Sequence, residues 1–270
     1  MTIQTPITQP VLIAHPEPGI ALLTLDRPQA RNALSRAVMT ALSEALAELA
    51  ADKDVRAIVL AANGPAFCAG HDLKELTARR TDADGGRAFY TETMTQCSAL
   101  MQSIIACPKP VIAAVEGIAT AAGCQLVATC DLAVAADTAT FATPGVNIGL
   151  FCSTPMVALS RNVPRKRAME MLLLGEALSA VDAATYGLVN RVVPATEVRT
   201  AAIGFARTIA AKSSATVAIG KAAFYSQLEQ PLAQAYTQAA EVMVTNMMYA
   251  DAEEGICAFL DKRPPSWRGC

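Results

Sequence analysis

The first two thirds of the chain alternate between two patterns of apolar residues. Nearly unbroken apolar runs, which are typical of buried strands, lie at residues 20–25, 57–62, 111–115 and 132–135. Between them, apolar residues recur every three or four positions, which predicts helices. The first helix follows Ser35, a residue favoured at the N-cap, and runs to about Ala51. Strands alternating with helices over residues 11–190 predict an α/β domain with a largely parallel sheet.

Helices dominate the last third of the chain. From residue 197 onward, periodic apolar positions predict helices at about 197–212, 214–229, 231–249 and 251–262. Their apolar stripes, which include Met243, Met247 and Phe259, exceed what one chain end needs to cover. We therefore expect them to pack against the core or against another subunit. This divides the chain into a core at residues 1–195 and a helical C-terminal oligomerisation region at residues 196–270.

Composition and charge exclude several classes of function. With 53% hydrophobic and 5% aromatic residues and a net charge of −2, the chain is a folded protein without the features of a nucleic-acid binder. The apolar stretch at residues 111–136 contains Glu116, Gln125 and Asp131, which argues against a membrane span. Eight cysteines without a C-x-x-C pair and only two histidines predict no metal site.

The compartment is also predicted from the sequence. The first ten residues are polar, and they contain neither a basic and apolar export signal nor an Arg-rich transit segment. The cysteines are too sparse for a disulfide scaffold and favour reduced, buried thiols. These two observations predict a cytoplasmic protein.

Two segments of small residues are candidates for chemistry. They are residues 67–74, which begin within a Gly/Pro loop at 63–70, and residues 117–125, which begin with a small-residue turn at 117–123. Each follows a strand and opens a helix. The first N–H groups of a helix are unsatisfied, so two such starts side by side would aim two donors at one oxygen, as in an oxyanion hole. The alternative for either segment is that its small residues only permit close packing. Neither contains the dinucleotide fingerprint G-x-G-x-x-G.

Three ordered motifs carry a family resemblance. They are LDRPQARNAL at residues 25–34, FCAGHDLK at 67–74 and GIATAAGCQLVATCD at 117–131. Together they resemble the enoyl-CoA hydratase/isomerase (crotonase) superfamily, and the resemblance extends over about residues 11–265. It implies a ClpP/crotonase-like α/β fold, in which a spiral of ββα units is followed by a C-terminal helical trimerisation region. It also implies a homotrimer or a dimer of trimers.

The resemblance also implies a ligand and a set of site residues. The ligand is an acyl-CoA thioester, with coenzyme A as part of the substrate and no further cofactor. The oxyanion hole would consist of the backbone N–H groups of His71 and Ala122. The residues implied in contact with coenzyme A are Ala30, Arg31, Ala33, Ala69, Leu73, Lys74, Phe259 and Lys262.

The sequence departs from the hydratases of this family at both catalytic carboxylates. Their two glutamates correspond to Gln125 and Gly145, neither of which can transfer a proton. General acid–base groups contribute roughly 10²–10⁴ in rate, so we expect enoyl-CoA hydration to be inefficient. His71 is the best surviving acid–base candidate. The alternative is that its ring only makes a local hydrogen bond.

Three further polar residues near these motifs favour structural roles. Cys68 is predicted to be a buried thiol and not a nucleophile. We expect Asp131 to be a partner of a backbone turn and Asn32 to fix a loop by hydrogen bonds.

Two function classes stay open. The first is an enzyme of the lyase/isomerase type that polarises a thioester carbonyl, including decarboxylase or thioesterase chemistry that needs little acid–base help. The second is a non-catalytic acyl-CoA binder or scaffold that kept the fold.

Overall fold

The structure is a computed structural model that describes residues 9–270. Most of the polar segment on which the prediction of no targeting signal rests lies outside the described residues. Ten strands form within them: β1 Val11–Glu17, β2 Ile20–Leu25, β3 Ala57–Ala62, β4 Ala66–Cys68, β5 Val111–Val115, β6 Ile118–Thr120, β7 Leu132–Ala136, β8 Thr140–Ala142, β9 Leu178–Ser179 and β10 Arg191–Val193.

Eleven α-helices form within the same residues. They are α1 Arg36–Ala51, α2 Leu73–Ala78, α3 Arg87–Ala106, α4 Ala122–Thr129, α5 Pro155–Asn162, α6 Arg165–Leu174, α7 Ala180–Thr185, α8 Val198–Ala210, α9 Ser214–Leu228, α10 Leu232–Met247 and α11 Ala250–Leu260. The prediction for α1 is confirmed, because the Ser35 side chain accepts a hydrogen bond from the Val38 N–H and caps the helix. The four predicted C-terminal helices are confirmed as α8–α11.

The strands form two sheets. The larger has the order β1-β2-β3-β5-β7-β10, and the smaller has the order β4-β6-β8-β9. In the part of the larger sheet that the structure describes, only β1 and β2 pair antiparallel, which confirms the largely parallel sheet predicted from the sequence. All six residues of β3 are buried, as expected for a strand of a parallel sheet covered on both faces.

A repeated ββα unit explains how the two sheets are connected. In the units β3-β4-α2, β5-β6-α4 and β7-β8-α5, the first strand joins the larger sheet and the second joins the smaller. This confirms the predicted spiral. The pattern of apolar residues missed β4 and β6, which lie in segments predicted as loop and turn. Each is only three residues long, too short for a period, and is held by parallel pairing with its neighbours.

The helices of the C-terminal region differ in how far the core buries their apolar side chains. Val198, Ala202 and Ala206 of α8 are fully buried in the main hydrophobic core. In contrast, α10 and α11 leave large apolar side chains exposed, among them Met247 and Phe259. Within residues 9–270, none of the helices combines the length and apolar composition that a membrane crossing requires.

Candidate active site

The first and second sequence motifs are joined by backbone hydrogen bonds. The Leu34 N–H donates to the Gly70 carbonyl at 2.7 Å, and the Asp72 N–H donates to the Leu34 carbonyl at 3.2 Å. The Ala69 N–H donates to the Arg31 carbonyl at 3.0 Å. The loop at residues 25–34 is therefore a rigid support for the start of α2.

The second and third motifs touch through glycines. A Cβ atom added at Gly70 would lie 2.9 Å from the Ala121 Cβ and 3.4 Å from the Ala122 nitrogen. A Cβ added at Gly123 would lie 2.1 Å from the carbonyl oxygen of Cys68. The segment that leads from β4 into α2 is therefore in direct contact with the start of α4, and the two can be so close only because glycine has no side chain.

Two backbone N–H groups remain unused where the helix starts meet. Leu34 and His71 are paired as in a parallel sheet, and the two hydrogen bonds of this pairing are made by the Gly70 carbonyl and the Asp72 N–H. The N–H of His71 therefore takes no part in the pairing. Ala122 is the first residue of α4, so its N–H has no partner within the helix. Among the hydrogen bonds of residues 9–270, neither group is a donor.

An apolar cavity of about 520 Å³ lies against these helix starts. It brings together five of the predicted site residues, which are Ala69, His71, Leu73, Ala122 and Gly145. Cys152 and Ser153 also line the cavity, and the sequence motifs did not indicate most of its other walls. The remaining lining residues are Leu76, Met94, Thr120, Ala121, Pro144, Asn147, Ile148, Leu150, Phe151, Thr154 and Pro155. The sequence did contain one signal for these lining residues, because the stretch around Leu150 is unusually apolar without the periodicity of a helix or a strand.

The cavity wall has little charge. Within the described residues, none of its lining side chains is Asp, Glu, Lys or Arg. Its titratable side chains are His71 and Cys152, and burial raises the pKa of the Cys152 thiol. Charged substrate groups therefore have no ionic partner on this wall.

His71 is half-buried at the edge of the cavity. Its Nδ1 lies 3.4 Å from the Leu34 carbonyl oxygen, and its Nε2 is shielded from solvent and has no hydrogen-bond partner among the described residues. Burial lowers the pKa of the imidazole below its ordinary value, while the Leu34 carbonyl and the charge of Glu75 oppose the shift. The ring is therefore neutral at pH 7.

The two positions predicted to correspond to the family's glutamates lie in different surroundings. Gln125 is not part of the cavity lining. It is 5% exposed, and its side-chain oxygen lies 4.0 Å from the Cys97 sulfur between α4 and α3. Gly145 does line the cavity, but a Cβ there would lie 2.8 Å from the Leu150 carbonyl oxygen and 2.9 Å from the Cys152 sulfur. The loop 144–152 thus fills the space that a side chain at position 145 would need.

The other residues implied in coenzyme A contact do not line this cavity. Ala30, Arg31 and Ala33 lie in the supporting loop behind Ala69, and Lys74 is exposed on α2. Phe259 lines a separate apolar cavity of about 620 Å³ formed by α9, α10 and α11. Lys262 follows α11 with a φ of +57°. Within one chain, the structure does not bring these two residues to the first cavity.

The structural roles predicted for three polar residues are confirmed. Asn32 accepts from the Arg27 N–H and donates to the carbonyls of Asn63 and Ala66, which fixes the loop. Asp131 accepts from the Val111 N–H at 2.7 Å. Cys68 is fully buried, and burial raises its pKa to about 12, which excludes a thiolate at neutral pH. No group of three or more His, Cys, Asp and Glu in residues 9–270 is arranged to hold a metal ion.

This combination of a ββα spiral and small-residue helix starts over an apolar cavity defines a crotonase-type protein. The model of the enoyl-CoA hydratase/isomerase family matches residues 16–270, and the chain belongs to that family. Enoyl-CoA hydratase domain-containing protein 3 of Rattus norvegicus is 49% identical over 249 residues, which cover 92% of this chain and 81% of the relative. The motifs at residues 70–76, 141–155 and 259–267 indicate the same branch of the family.

Solved structures agree with this assignment. The crystal structure of an enoyl-CoA hydratase from Mycobacterium smegmatis has a TM-score of 0.90 and 53% identity, covering 96% of this chain and 98% of that one. Human enoyl-CoA hydratase domain-containing protein 3 has a TM-score of 0.91 and 48% identity, covering 96% of this chain and 100% of that one.

The prediction of a cytoplasmic protein is wrong. The relatives from rat, human and mouse are named as mitochondrial proteins, which points away from a purely cytoplasmic location. The prediction rested on the polar first ten residues and on reduced thiols. Neither reports a compartment, because a targeting segment is recognised by the transport machinery and does not contribute to the folded core.

Proposed function

We propose that this chain is an acyl-CoA enzyme that binds the thioester in the 520 Å³ cavity and polarises its carbonyl group. The oxygen would accept hydrogen bonds from the N–H groups of His71 and Ala122. The observation that carries this proposal is the pair of unused N–H groups on two helix starts in contact at the cavity wall. Donors fixed in an apolar site stabilise an oxyanion or enolate without reorganising, and one such donor is typically worth about 10²–10³ in rate.

The same geometry argues against efficient hydration. Adding water across a double bond needs one group to activate the water and another to protonate the α-carbon. Among residues 9–270 the cavity lining contains no carboxylate, Gln125 faces Cys97 in the core, and the loop at Gly145 is closed by Cys152. Chemistry that depends mainly on carbonyl polarisation, such as decarboxylation or thioester cleavage, needs less from these positions.

Coenzyme A itself would extend from the cavity along the supporting loop. The Arg31 carbonyl accepts the N–H of Ala69 in the cavity wall, and Ala30 and Ala33 lie in the same loop. The exposed cations Arg31 and Lys74 are available for phosphate groups. We assign no cofactor beyond the coenzyme A of the substrate.

The C-terminal helices would complete the site between subunits. Phe259 and Lys262 do not line the cavity of their own chain, which supports a nucleotide contact in a neighbouring subunit of a homotrimer or a dimer of trimers. The exposed apolar residues of α10 and α11 support an oligomerisation role for residues 196–270.

One observation favours a second candidate, a non-catalytic acyl-CoA binder. It is the absence of any carboxylate from the cavity lining within the described residues. Both candidates predict binding, whereas only the first predicts polarisation of the bound carbonyl.

A two-part experiment tests the proposal. Butyryl-CoA, crotonyl-CoA and free coenzyme A are first compared for thermal stabilisation, since a ligand at 100 times its Kd adds about 2.7 kcal/mol of stability. Crotonyl-CoA labelled with carbon-13 at the thioester carbonyl is then bound, and we expect a downfield shift of the carbonyl resonance. Stabilisation without that shift would favour the non-catalytic binder, and no stabilisation by any thioester would contradict both candidates.

A further inference from the structure

A further cavity of the molecule, of about 510 Å³, is lined by positive charge. Four of its lining side chains are cations, namely Lys53, Arg56, Lys109 and Arg268, and among the described residues none of the lining side chains is Asp or Glu. We call it the basic cavity. Within residues 9–270 none of the four cations forms an ion pair. Like charges repel one another, so an anion bound among them would relieve the repulsion.

Two of these cations are held in place by backbone carbonyl groups. Lys109 Nζ donates to the carbonyls of Asp52 and Val55, and Arg56 Nη1 donates to the Ala210 carbonyl at 3.1 Å. An ammonium group has three N–H donors and a guanidinium group has five, so both side chains keep donors for a ligand. A carbonyl carries no net charge, and both side chains therefore keep their positive charge uncompensated.

The start of α9 adds uncharged donors to the same wall. Ser214 and Ala215 are the first two residues of that helix, and both line the basic cavity. The Ser213 side chain caps the helix by accepting the Thr216 N–H. Among the hydrogen bonds of residues 9–270, the N–H groups of Ser214 and Ala215 and the Ser214 hydroxyl are not donors. The N–H groups at a helix start carry partial positive charge, which favours phosphate groups.

The backbone beside Arg268 is fixed by hydrogen bonds to two helices. Asp251 of α11 is buried, and its carboxylate accepts the N–H groups of Arg268 at 2.6 Å and of Gly269 at 2.9 Å. Trp267 Nε1 donates to the Ala211 carbonyl at the end of α8, also at 2.9 Å. Arg268 is therefore placed at the basic cavity by its backbone, while its side chain makes no hydrogen bond within the described residues.

Opposing charge near the basic cavity is limited to one side. Burial lowers the pKa of Lys109, and the charges of Asp52 and Asp54 oppose this shift. One oxygen of the Asp52 carboxylate accepts the Asp54 N–H at 2.8 Å, and neither carboxylate belongs to the cavity lining. The four cations outnumber these two carboxylates, so the surroundings of the cavity are positive.

The basic cavity and the 520 Å³ cavity lie at opposite ends of α1. The supporting loop at residues 25–34 precedes that helix, whereas Ala50 and Ala51 of the basic cavity form its last two residues. Because α1 has 16 residues and a helix rises 1.5 Å per residue, its ends are about 24 Å apart. A ligand in the basic cavity would therefore not overlap a thioester in the other cavity.

We propose that the basic cavity is a second binding site, which takes a small phosphate monoester. The phosphate oxygens would accept hydrogen bonds from the four cations and from the start of α9. The apolar part of the lining, which includes Val55, Pro108 and Val217, would contact the organic group of the ester. This inference does not depend on the proposed function, because the two cavities share no lining residue.

Titration of the full chain with butyl phosphate tests this inference. Calorimetry measures the affinity, and the fluorescence of Trp267, which is the single tryptophan and precedes Arg268, reports binding at this wall. At constant ionic strength in chloride, we expect saturable binding of inorganic phosphate, tighter binding of butyl phosphate and no binding of 1-butanol. The tighter binding of the ester follows from the apolar part of the lining.

Paired substitutions test the role of the cations. Lys53→Gln combined with Arg268→Gln removes two exposed charges and should weaken the binding of butyl phosphate by about tenfold or more, since hydrogen bonds between charged groups are the strong ones. The matched control is Arg165→Gln combined with Lys166→Gln, which removes the same charge from the exposed start of α6 and should leave the affinity unchanged.

A substitution in the backbone tests the start of α9. Ser214→Pro removes one N–H and one hydroxyl, and proline is tolerated at the first position of a helix. The preceding Ser213 has a φ of −59° and a ψ of 120°, which suit a residue before proline. We expect Ser214→Pro to weaken binding more than Ser214→Ala, which removes only the hydroxyl, while circular dichroism shows that the helices persist. Equal affinity of these two variants would exclude the backbone donor from the site.

Competition with a thioester separates the two cavities. Saturating butyryl-CoA should leave the affinity for butyl phosphate unchanged. The inference is overturned if butyl phosphate does not bind saturably, if the variant with Lys53→Gln and Arg268→Gln binds it as tightly as the wild type, or if butyryl-CoA displaces it. If butyl phosphate binds as expected and butyryl-CoA does not bind at all, only the proposed function fails.

Discussion

At the scale of single residues, the site depends on two glycines, whose lack of a side chain allows close contact between two loops. Gly70 and Gly123 let two loops approach until backbone atoms of one meet those of the other. Gly70 also has a φ of +88°, a conformation that other residues adopt with strain. The donors of the proposed oxyanion hole are backbone atoms, so their placement depends on these contacts and not on the identity of the donor residues.

Gly123→Ala tests this dependence. The new methyl group would meet the Cys68 carbonyl at 2.1 Å, and neither backbone can yield without moving α4 or β4. We expect a loss of about 3 kcal/mol or more in the free energy of unfolding, measured by urea denaturation. Gly204→Ala is the control, because that position in α8 has open space and alanine favours a helix by about 1 kcal/mol. Equal stability of the two variants would show that the contact is not restrictive.

Gln125→Glu tests whether position 125 belongs to the core or to the cavity. The side chains are nearly isosteric, but a carboxylate beside Cys97 would be buried without a cation, so its pKa would be raised above the unfolded value. Stability should then be close to that of the wild type near pH 4 and fall as the pH rises toward 8. We also expect no faster hydration of crotonyl-CoA, which is measured by the loss of the enoyl absorbance. A stable variant with faster hydration would place this side chain in the cavity.

At the scale of elements, one carboxylate connects the C-terminal helices to the parallel sheet. Asp131, at the start of β7, accepts from the Val111 N–H of β5 and from Lys221 Nζ of α9, both at 2.7 Å. Its second oxygen accepts from the Tyr225 hydroxyl at 2.9 Å. Lys221 also donates to the carbonyls of Ile104 and Lys109. The ion pair is largely buried, so removing one partner leaves a charge without compensation.

Lys221→Met should therefore destabilise the protein by about 3–5 kcal/mol, whereas Tyr225→Phe should cost about 1 kcal/mol. Chemical denaturation measures both changes. Similar small effects for the two variants would mean that the ion pair does not hold α9 to the sheet.

At the scale of the whole molecule, the two sheets are built together. Each ββα unit adds one strand to both, so the short strands β4, β6 and β8 and the helix starts that follow them lie side by side. Successive turns of the spiral therefore form the cavity together, and no single segment of the chain forms it alone. The apolar side chains of α10 and α11 stay exposed in one chain.

The proposed trimer gives a prediction at this scale. Met247 and Met248 are exposed at the end of α10, and replacing both by glutamate should introduce like charges into the subunit contact and shift the protein toward monomers. Light scattering after size exclusion measures the mass, and circular dichroism checks that the helices persist. A wild type that is already monomeric would contradict the proposed assembly.

Much of the secondary structure was predictable because it depends on local patterns. The helices α1 and α3 follow from apolar periodicity, the strands β3 and β5 follow from unbroken apolar runs, and the start of α1 follows from the capping chemistry of Ser35. The strands β4 and β6 were not predictable in this way, because a three-residue strand is too short to show a periodic pattern and is stabilised by pairing with distant strands.

The sequence by itself determined the family, the parallel α/β architecture and the small-residue loops, and it predicted the loss of both family carboxylates. Only the tertiary structure decided that Gln125 turns into the core, that Cys152 and Leu150 fill the space beside Gly145, and that the loop after Gly145 forms much of the cavity wall. The physical reason is that a local pattern reports which residues avoid water, whereas the neighbour each one meets depends on how successive turns of the spiral pack.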